Sequence, residues 1–164
     1  MTIDELKEKF PQKIQEIKDF MEDDAKDIIG VEAVEFYKDS FNKEGATDKQ
    51  LTKWADVKRR DPNSPWHGHS GQTGKKNKLR ETAKILPGET GELRNATTYT
   101  KTATGVRISN DKPYAAVHNF GGKAYVYGKK SFQMIARPFI YRSETLNNEL
   151  RRILIDEIKS ILNK

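Results

Sequence analysis

The chain has 164 residues, of which 35% are hydrophobic and 33% are charged, and its formal net charge at pH 7 is +6. This length fits one domain with a single small core beneath a highly solvated surface. The absence of cysteine excludes disulfides and thiolate metal sites and is what a reducing cytoplasm permits. Because the first residues lack a basic start and no long apolar window occurs, we expect neither a secretion signal nor a membrane span.

The charges are unevenly distributed along the chain. Residues 1–44 contain 7 lysines and 13 acidic residues, whereas residues 49–84 contain 10 basic and 3 acidic residues. Residues 85–164 are also basic, with 13 Lys or Arg against 7 acidic residues. Two arrangements would bring these opposite charges together: a monomer closed on itself, or a head-to-tail ring in which the acidic part of one copy meets the basic part of the next.

Residues 2–43 are predicted to be mostly helical. A capping-box sequence at residues 2–5 is followed by an apolar stripe with helical spacing, which Pro11 interrupts, so the first helix either ends near Phe10 or is kinked there. A second apolar face follows, in which Gly30 is the weakest point. The stripe consists of Leu6, Phe10, Ile14, Ile17 and Met21, and the second face of Ile29, Ala33, Phe36, Tyr37 and Phe41.

Residues 44–84 lose the apolar period and are predicted to form a long basic loop. Polar residues and glycine dominate this range around the apolar anchors Leu51, Trp54 and Val57. A solvated, flexible loop is the simplest interpretation of this composition. The alternative is a functional segment, because basic residues interleaved with Trp54 and Trp66 would provide phosphate contacts and base stacking. The residues that would contact DNA or another subunit are Lys58, Arg59, Arg60, Lys75, Lys76, Lys78 and Arg80.

Residues 85–141 are predicted to form the sheet region. Thr, Tyr, Val and Ile are frequent in residues 92–101 and 104–110, and their alternation predicts a first hairpin. Residues 124–127 and 131–135 flank a Gly-Lys-Lys turn and predict a second hairpin. Together the two hairpins predict a mainly antiparallel sheet of about four strands.

Residues 112–122 lie between the hairpins and are predicted to form a structural corner. Pro113 suits the first position of a short helix, and the glycine pair at the end can take the positive φ that stops one. His118 shares a face of this helix with Tyr114 and is expected to pack against the sheet with its ring bonded to the backbone, while Phe120 packs near the exit. The corner consists of Pro113, Tyr114, His118, Phe120, Gly121 and Gly122.

Residues 142–162 are predicted to form the C-terminal helix. Ser143 can cap it, and a stripe of seven apolar residues makes it the strongest helical pattern of the chain. We expect this helix and the N-terminal helices to cover one face of the sheet, so residues 1–164 form a single α+β domain. The stripe consists of Leu146, Leu150, Ile153, Leu154, Ile158, Ile161 and Leu162.

No catalytic, cofactor-binding or metal site is predicted. His67 and His69 would point the same way on an extended segment and could join His118 at a metal, but no carboxylate or cysteine stands beside the pair at ligand spacing. Residues 68–71 lack the apolar strand that feeds a nucleophile elbow, and residues 71–75 lack the spacer of a P-loop. We therefore expect a protein that is not an enzyme.

Four short motifs occur in order in the second half of the chain: Ile85-Leu86, Thr90-Gly91-Glu92-Leu93, residues 114–122 (YAAVHNFGG) and Arg137-Pro138-Phe139. In this order and at this spacing they resemble the pattern of the phage virion morphogenesis family of tail completion proteins. Ser40-Phe41 and Trp54 are similar to upstream landmarks of that family, so the resemblance covers about residues 28–162. The landmark residues are Trp54, Gly91, Leu93, Arg137, Pro138 and Phe139.

The resemblance implies a structural protein that completes the phage tail and helps to join it to the filled capsid. It implies a ring of identical subunits around the DNA channel, with tail tube or terminator proteins and head-connector proteins as partners and weak, non-specific contact with DNA. No cofactor and no membrane are implied. The protein would occur in the cytoplasm of the bacterial host during assembly and then in the tail or neck of the virion. The alternative is a nucleic-acid-binding module that uses residues 49–84.

Overall fold

A computed structural model describes residues 3–69, 75–86, 90–126 and 130–163. These residues contain helices and antiparallel strands, and the predicted α+β class is confirmed. Within the same ranges, no helix has the length and apolar character that a membrane crossing requires. The elements in chain order are α1 Ile3–Glu22, α2 Asp24–Lys43, β1 Gly45–Thr47, β2 Leu51–Lys53, α3 Lys78–Thr82, α4 Glu92–Asn95, β3 Thr97–Thr102, β4 Gly105–Asn110, α5 Ala115–Phe120, β5 Gly122–Val126, β6 Lys130–Met134 and α6 Glu144–Asn163.

The N-terminal helical region breaks at Asp23. Pro11 lies inside α1, so the first of the two sequence-based alternatives, a helix that ends near Phe10, is wrong. A proline removes only one backbone hydrogen bond, and α1 continues past this loss. The amide of Asp23 still donates to the carbonyl of Asp19, at 3.2 Å, before the chain turns into α2.

Most of the apolar stripe predicted for α1 is exposed where its side chains are described. Phe10, Ile14 and Met21 are exposed and Ile17 is partly buried, whereas the Leu6 side chain lies outside the described part. Among residues 7–22 the buried residue is Phe20. The reason is that α1 contacts α2 and α6 rather than the sheets, so only a narrow part of its surface is covered. The pattern of α1 therefore predicts the helix correctly and its buried face incorrectly.

The apolar face predicted for α2 is confirmed. Ala33, Tyr37 and Phe41 are buried, and Ile29 and Phe36 are partly buried. This helix is the one that lies against the sheet, since β3 and β4 both pack on it. It also contacts α1 and α6, and Ile108 of β4 and Leu146 of α6 belong to one cluster with Ala33 and Tyr37.

Gly30 is a point of close contact between α2 and Tyr99 of β3. A Cβ atom at this position would lie 2.2 Å from Cδ2 of Tyr99, a distance that real Cβ contacts do not reach. The Tyr99 hydroxyl donates a hydrogen bond of 3.0 Å to Oδ1 of Asp27, one turn earlier on α2. Gly30, predicted as a weak point of the helix, instead provides the notch that holds the Tyr99 ring.

The strands form three separate two-stranded antiparallel sheets among the described residues, not one sheet of about four strands. The register of β3–β4 runs from Thr97↔Asn110 to Thr102↔Gly105, and that of β5–β6 from Gly122↔Met134 to Val126↔Lys130. Both predicted hairpins are therefore present, although the start of the first one folds as α4. The two hairpins are not paired with each other among the described residues, and α5 lies between them in the chain.

The third sheet lies inside residues 44–84, the range predicted as a loop. Strands β1 and β2 pair there, and the amide of Trp54 donates to the carbonyl of Glu44 at 2.8 Å. Farther along, the amide of Gly68 donates to the carbonyl of Arg59, and helix α3 follows. Strands of three residues are too short to show an alternating pattern, so the sequence did not reveal them.

Tyr141 joins the C-terminal part of the fold to the N-terminal part. Its carbonyl accepts a hydrogen bond of 2.6 Å from the Tyr37 hydroxyl, 104 residues away in the chain. Its own hydroxyl lies 3.0 Å from Oγ of Ser40 and accepts a hydrogen bond of 2.7 Å from the amide of Thr47. The Tyr37 and Tyr141 rings pack edge to face, so α2, β1 and the segment before α6 are held at one point.

Helix α6 begins with the predicted cap. The hydroxyl of Ser143 accepts a hydrogen bond of 3.1 Å from the amide of Leu146, and the carboxylate of Asp48 accepts one of 2.7 Å from the amide of Glu144. Leu146 is buried with Ala33 and Tyr37. The helix contacts mainly α1 and α2, and Leu162 near its end is exposed. The expectation that α6 covers one face of a sheet is therefore wrong.

Candidate functional site

The predicted corner at residues 112–122 is helix α5 with its flanking turns. The helix begins at Ala115 after the N-cap residue Tyr114, so Pro113 precedes it and is not at its first position as predicted. At its end the amide of Gly121 donates to the carbonyl of Val117. Gly121 has φ 73°, and a Cβ there would lie 2.9 Å from the backbone nitrogen of Ala136. Gly122 has φ 115°. The glycine pair therefore ends the helix, as predicted, and lets two segments approach each other.

One face of α5 is buried, and Phe120 does not lie on it. Ala115 and Asn119 are buried and lie four residues apart, whereas Phe120 is 78% exposed. The expectation that Phe120 packs near the helix exit is wrong, because the residue after Asn119 points about 100° away from the buried face.

Asn119 is the residue of the corner that sequence reasoning missed. Its Oδ1 accepts hydrogen bonds from the amides of Phe139, at 2.8 Å, and Ile140, at 2.9 Å, and its Nδ2 donates to the carbonyl of Ile140 at 3.0 Å. The side chain thus replaces a strand partner for this segment. The sequence does contain a sign of this role, a side-chain amide in a short, mostly apolar helix. If such an amide is buried, it needs hydrogen-bond partners.

The family landmarks named above meet in one hydrophobic cluster. Trp54, Leu93 and Phe139 are buried there with Phe41 and Ala115. The Trp54 Nε1–H donates to the carbonyl of Pro138 at 2.9 Å, so Pro138 also belongs to this core. Gly91, with φ 65°, precedes the short helix that carries Leu93. These residues build the fold, and they do not form a surface site.

Arg137 is buried in the same region, where it holds backbone groups. Its Nε donates to the carbonyl of Ala55 at 3.1 Å, and its Nη2 donates to the carbonyl of Asp56 at 3.3 Å. Its own amide donates to the carbonyl of His118 at 2.8 Å. Burial lowers the pKa of the guanidinium, which nevertheless stays charged. Arg137 therefore ties the segment after β2 to the corner.

His118 is partly buried, and the predicted hydrogen bond between its ring and the backbone is absent at Nδ1. Nδ1 is buried and has no hydrogen-bond partner among the residues that the structure describes. The ring meets that of Tyr114 edge to face, with centroids 5.9 Å apart. Burial lowers the pKa of His118, and the neighbouring Arg137 cation lowers it further. The ring is therefore neutral at pH 7, because a proton would be placed in a poorly solvated site beside a cation.

We expect His118 to make the fold acid-sensitive. Since its pKa is lower in the folded chain, the unfolded chain takes up the proton first, and stability is lost as the pH falls below about 6.5, the ordinary value for histidine. Chemical denaturation from pH 7.5 to pH 5 should show this loss in the wild type, and the His118→Phe variant should show a flatter profile. Identical slopes in the two proteins would contradict this assignment.

The seven basic residues predicted to contact DNA or another subunit divide into two groups. Arg59 and Arg60 are partly buried and bind within their own chain: Arg59 Nη2 donates to the carbonyl of Lys84 at 2.6 Å, and Arg60 contacts the carboxylate of Glu44 through both terminal nitrogens, at 3.1 and 2.5 Å. Arg60 also donates to the carbonyl of Ala83. Their role is structural, so for these two residues the prediction of an outside partner finds no support in the contacts.

Glu44 anchors this arginine pair to the end of α2. Burial raises the pKa of its carboxyl, but hydrogen bonds from Arg60 and from the amide of Ile85 outweigh burial and leave the pKa below its ordinary value. The same residue ends α2 with a left-handed conformation, at φ 53°.

The second group of basic residues is exposed or partly exposed and comprises Lys58, Lys75, Lys76, Lys78 and Arg80.

His67 and His69 each lie beside a side chain of their own segment or of α3. Nε2 of His67 lies 3.9 Å from the carboxylate of Glu81, and the His69 ring packs edge to face on Trp66. In the ranges that the structure describes, no group of three or more His, Asp or Glu residues has the geometry to hold a metal ion.

An acidic groove opens between α1, α2 and α6. Its volume is about 720 Å³, and its lining is mixed, with five carboxylates and three apolar side chains. Asp23 forms an ion pair of 2.5 Å with Lys101, and Glu16 forms one of 3.1 Å with Lys13, so part of the charge is already compensated. The groove is lined by the carboxylates of Glu16, Asp19, Asp23, Asp24 and Glu157 and by the apolar residues Phe20, Ile28 and Ile161.

The hairpin β5–β6, here called the hairpin arm, carries the opposite charge. Residues 122–134 contain three lysines and no acidic residue. On the described part of the hairpin arm, Lys123 and Lys130 are exposed, as are the aromatic residues Tyr125 and Phe132. Among the described elements, its main contact outside the hairpin is with α5. The arm is thus a basic, aromatic surface with little support from its own chain.

The comparisons agree with the motif pattern of the sequence. A family model described as the phage virion morphogenesis family matches residues 52–159. Neither a curated protein nor a solved structure matches the chain. The matched range includes every landmark residue in the buried cluster and extends through most of α6. Because the match covers well over half of the chain, the protein belongs to the phage virion morphogenesis family, and its role is in phage assembly.

Proposed function

We propose that the protein completes the phage tail and helps to join it to the capsid, as a structural subunit that performs no catalysis. The observation that carries this proposal is that the surface carries two regions of opposite charge, the acidic groove and the basic hairpin arm. The landmark residues Trp54, Leu93 and Phe139 are buried in the core, so binding to other assembly proteins depends on such surface regions. The acidic groove and the hairpin arm are the surfaces with the clearest complementarity.

The proposed working form is a ring of identical copies. Two different surfaces that fit each other make a heterologous contact, and such contacts close into a ring when the rotation between subunits allows it. The faces of the ring would bind a tail tube or terminator protein on one side and a head-connector protein on the other. We place the protein in the cytoplasm of the bacterial host during assembly and in the tail or neck of the finished virion.

Contact with DNA in this proposal is weak and non-specific. The exposed lysines at positions 58, 75, 76 and 78 provide charge for phosphate groups, while Arg59 and Arg60 are occupied by internal partners. A nucleic-acid-binding module based on residues 49–84 would depend on the arginine pair as well. The internal contacts therefore favour the assembly role over that alternative.

The test is complementation of a phage that lacks this protein. We expect separate filled heads and tails to accumulate without it, and the wild-type gene to restore joined, infectious particles, as counted by electron microscopy and plaque assay. In parallel, sedimentation of the purified protein should show oligomers at low salt that dissociate as salt rises, because screening shortens charge interactions to about 8 Å at physiological ionic strength.

Two results would overturn the proposal. The first is normal joining of heads and tails in the absence of the protein. The second is a chain that remains monomeric in every salt and concentration condition while it binds duplex DNA tightly, which would support the nucleic-acid-binding alternative.

A further inference from the structure

The hairpin arm needs a partner that its own chain does not provide. A two-stranded hairpin alone is at best marginally stable in water, because it has too little apolar surface to bury. Here β5 and β6 pair with each other, and outside the hairpin β5 contacts mainly α5 among the described elements. Tyr125 is 62% exposed and Phe132 is 44% exposed. Both strand edges and both aromatic rings are thus available for another molecule.

The acidic groove offers what the arm lacks. Its three apolar lining residues, Phe20, Ile28 and Ile161, can contact an aromatic side chain, and its carboxylates can pair with lysines. The groove is formed by α1, α2 and α6, whereas the arm packs on α5, so the arm of a chain does not fill the groove of the same chain. In a solution of this protein each groove is matched by one arm on another copy, so a second copy can supply the missing partner.

From this complementarity we propose that the hairpin arm of one copy docks in the acidic groove of the next copy. Lys123 and Lys130 would pair with groove carboxylates, and Phe132 or Tyr125 would contact the apolar residues that line the groove. The inference rests on the proposed ring, and it identifies the two surfaces that form the contact between neighbouring subunits. It also replaces the arginine pair as the basic partner, since those guanidinium groups bind within their own chain.

Cysteine cross-linking tests the contact directly. The chain contains no cysteine, so every disulfide reports an introduced pair. Two single variants, Gln133→Cys on the arm and Glu16→Cys at the groove, are mixed at low salt and oxidised. We expect a disulfide-linked dimer that contains one copy of each, identified by mass. The matched control replaces Glu16→Cys with Arg107→Cys, an exposed position on β4 outside the groove, and should give at least about tenfold less of the mixed dimer.

Charge exchange provides the second test. The variant Lys123→Glu with Lys130→Glu and the variant Asp24→Lys with Glu157→Lys should each associate with itself at least about tenfold more weakly, because like charges would then face each other. A mixture of these two variants should associate again, because the reversed arm then meets the reversed groove and the unchanged arm meets the unchanged groove. The control Glu32→Lys with Glu149→Lys makes the same charge changes at exposed positions of α2 and α6 outside the groove and should associate like the wild type.

The outcomes separate this inference from the proposed function. Salt-sensitive oligomers that form no arm-to-groove disulfide and ignore the charge exchange would overturn the inference and leave the ring intact. A protein that stays monomeric and does not restore the joining of phage heads to phage tails would overturn the docking contact and the proposed function. If the arm variants lose affinity for duplex DNA but keep their self-association, the arm binds nucleic acid and the docking contact is wrong.

Discussion

Replacement of Trp54 by alanine is expected to lower the free energy of unfolding by about 3–5 kcal/mol, the usual cost of removing a large aromatic side chain from a core. Trp54 is only 7% exposed, and its ring packs edge to face on Phe41, with centroids 5.8 Å apart. The change also leaves the carbonyl of Pro138 without its indole donor. Urea denaturation followed by circular dichroism measures the loss, because tryptophan fluorescence changes with the substitution itself.

Two further variants show which part of Trp54 matters. Trp54→Phe keeps an aromatic ring but removes the hydrogen bond to Pro138, so its cost should lie between that of alanine and zero. Trp66, which is 54% exposed, is the matched control, and Trp66→Ala should change stability by less than about 0.5 kcal/mol. Equal effects at both tryptophans would show that Trp54 is not the centre of the core.

The second large effect is expected for Asn119→Ala, which should cost about 2–4 kcal/mol. Its Oδ1 is the acceptor for the amides of Phe139 and Ile140, and a buried amide left without a partner costs about 1–3 kcal/mol. The loss should appear as faster hydrogen exchange at these two amides in addition to lower global stability.

Asn147 provides the control for this substitution. It is exposed on α6, and alanine is a good helix former, so Asn147→Ala should be neutral or slightly stabilising. If Asn119→Ala behaved in the same way, with unchanged exchange at Phe139 and Ile140, water would be replacing the side chain and the corner would not depend on this residue.

The elements that sequence analysis predicted correctly are those encoded by local patterns. The buried face of α2, the cap of α6 at Ser143 and the two hairpins each follow from spacing or from residue preference within about ten positions. Gly121 and Gly122 belong to the same class, because glycine itself tolerates the positive φ that these positions adopt. The family landmarks were also identified from short motifs.

The features that were missed depend on partners far away in the chain. Arg60 appeared to be a surface cation because Glu44 is 16 residues before it and Ala83 is 23 residues after it. Asn119 has its partners 20 and 21 residues later. The exposed stripe of α1 could not be recognised either, since periodicity gives the apolar face but not the element that covers it.

Tyr141 has a consequence for how the chain reaches this structure. A helix such as α2 can form from local contacts within about a microsecond. Its Tyr37 can be buried only after residue 141 arrives, and that requires closure of a loop of about one hundred residues. Chains whose contacts are this distant fold slowly, because the entropy of closure is lost before the contacts form. We therefore expect α2 to exist first with its aromatic face open to solvent, and at that stage newly made copies would be most prone to aggregate.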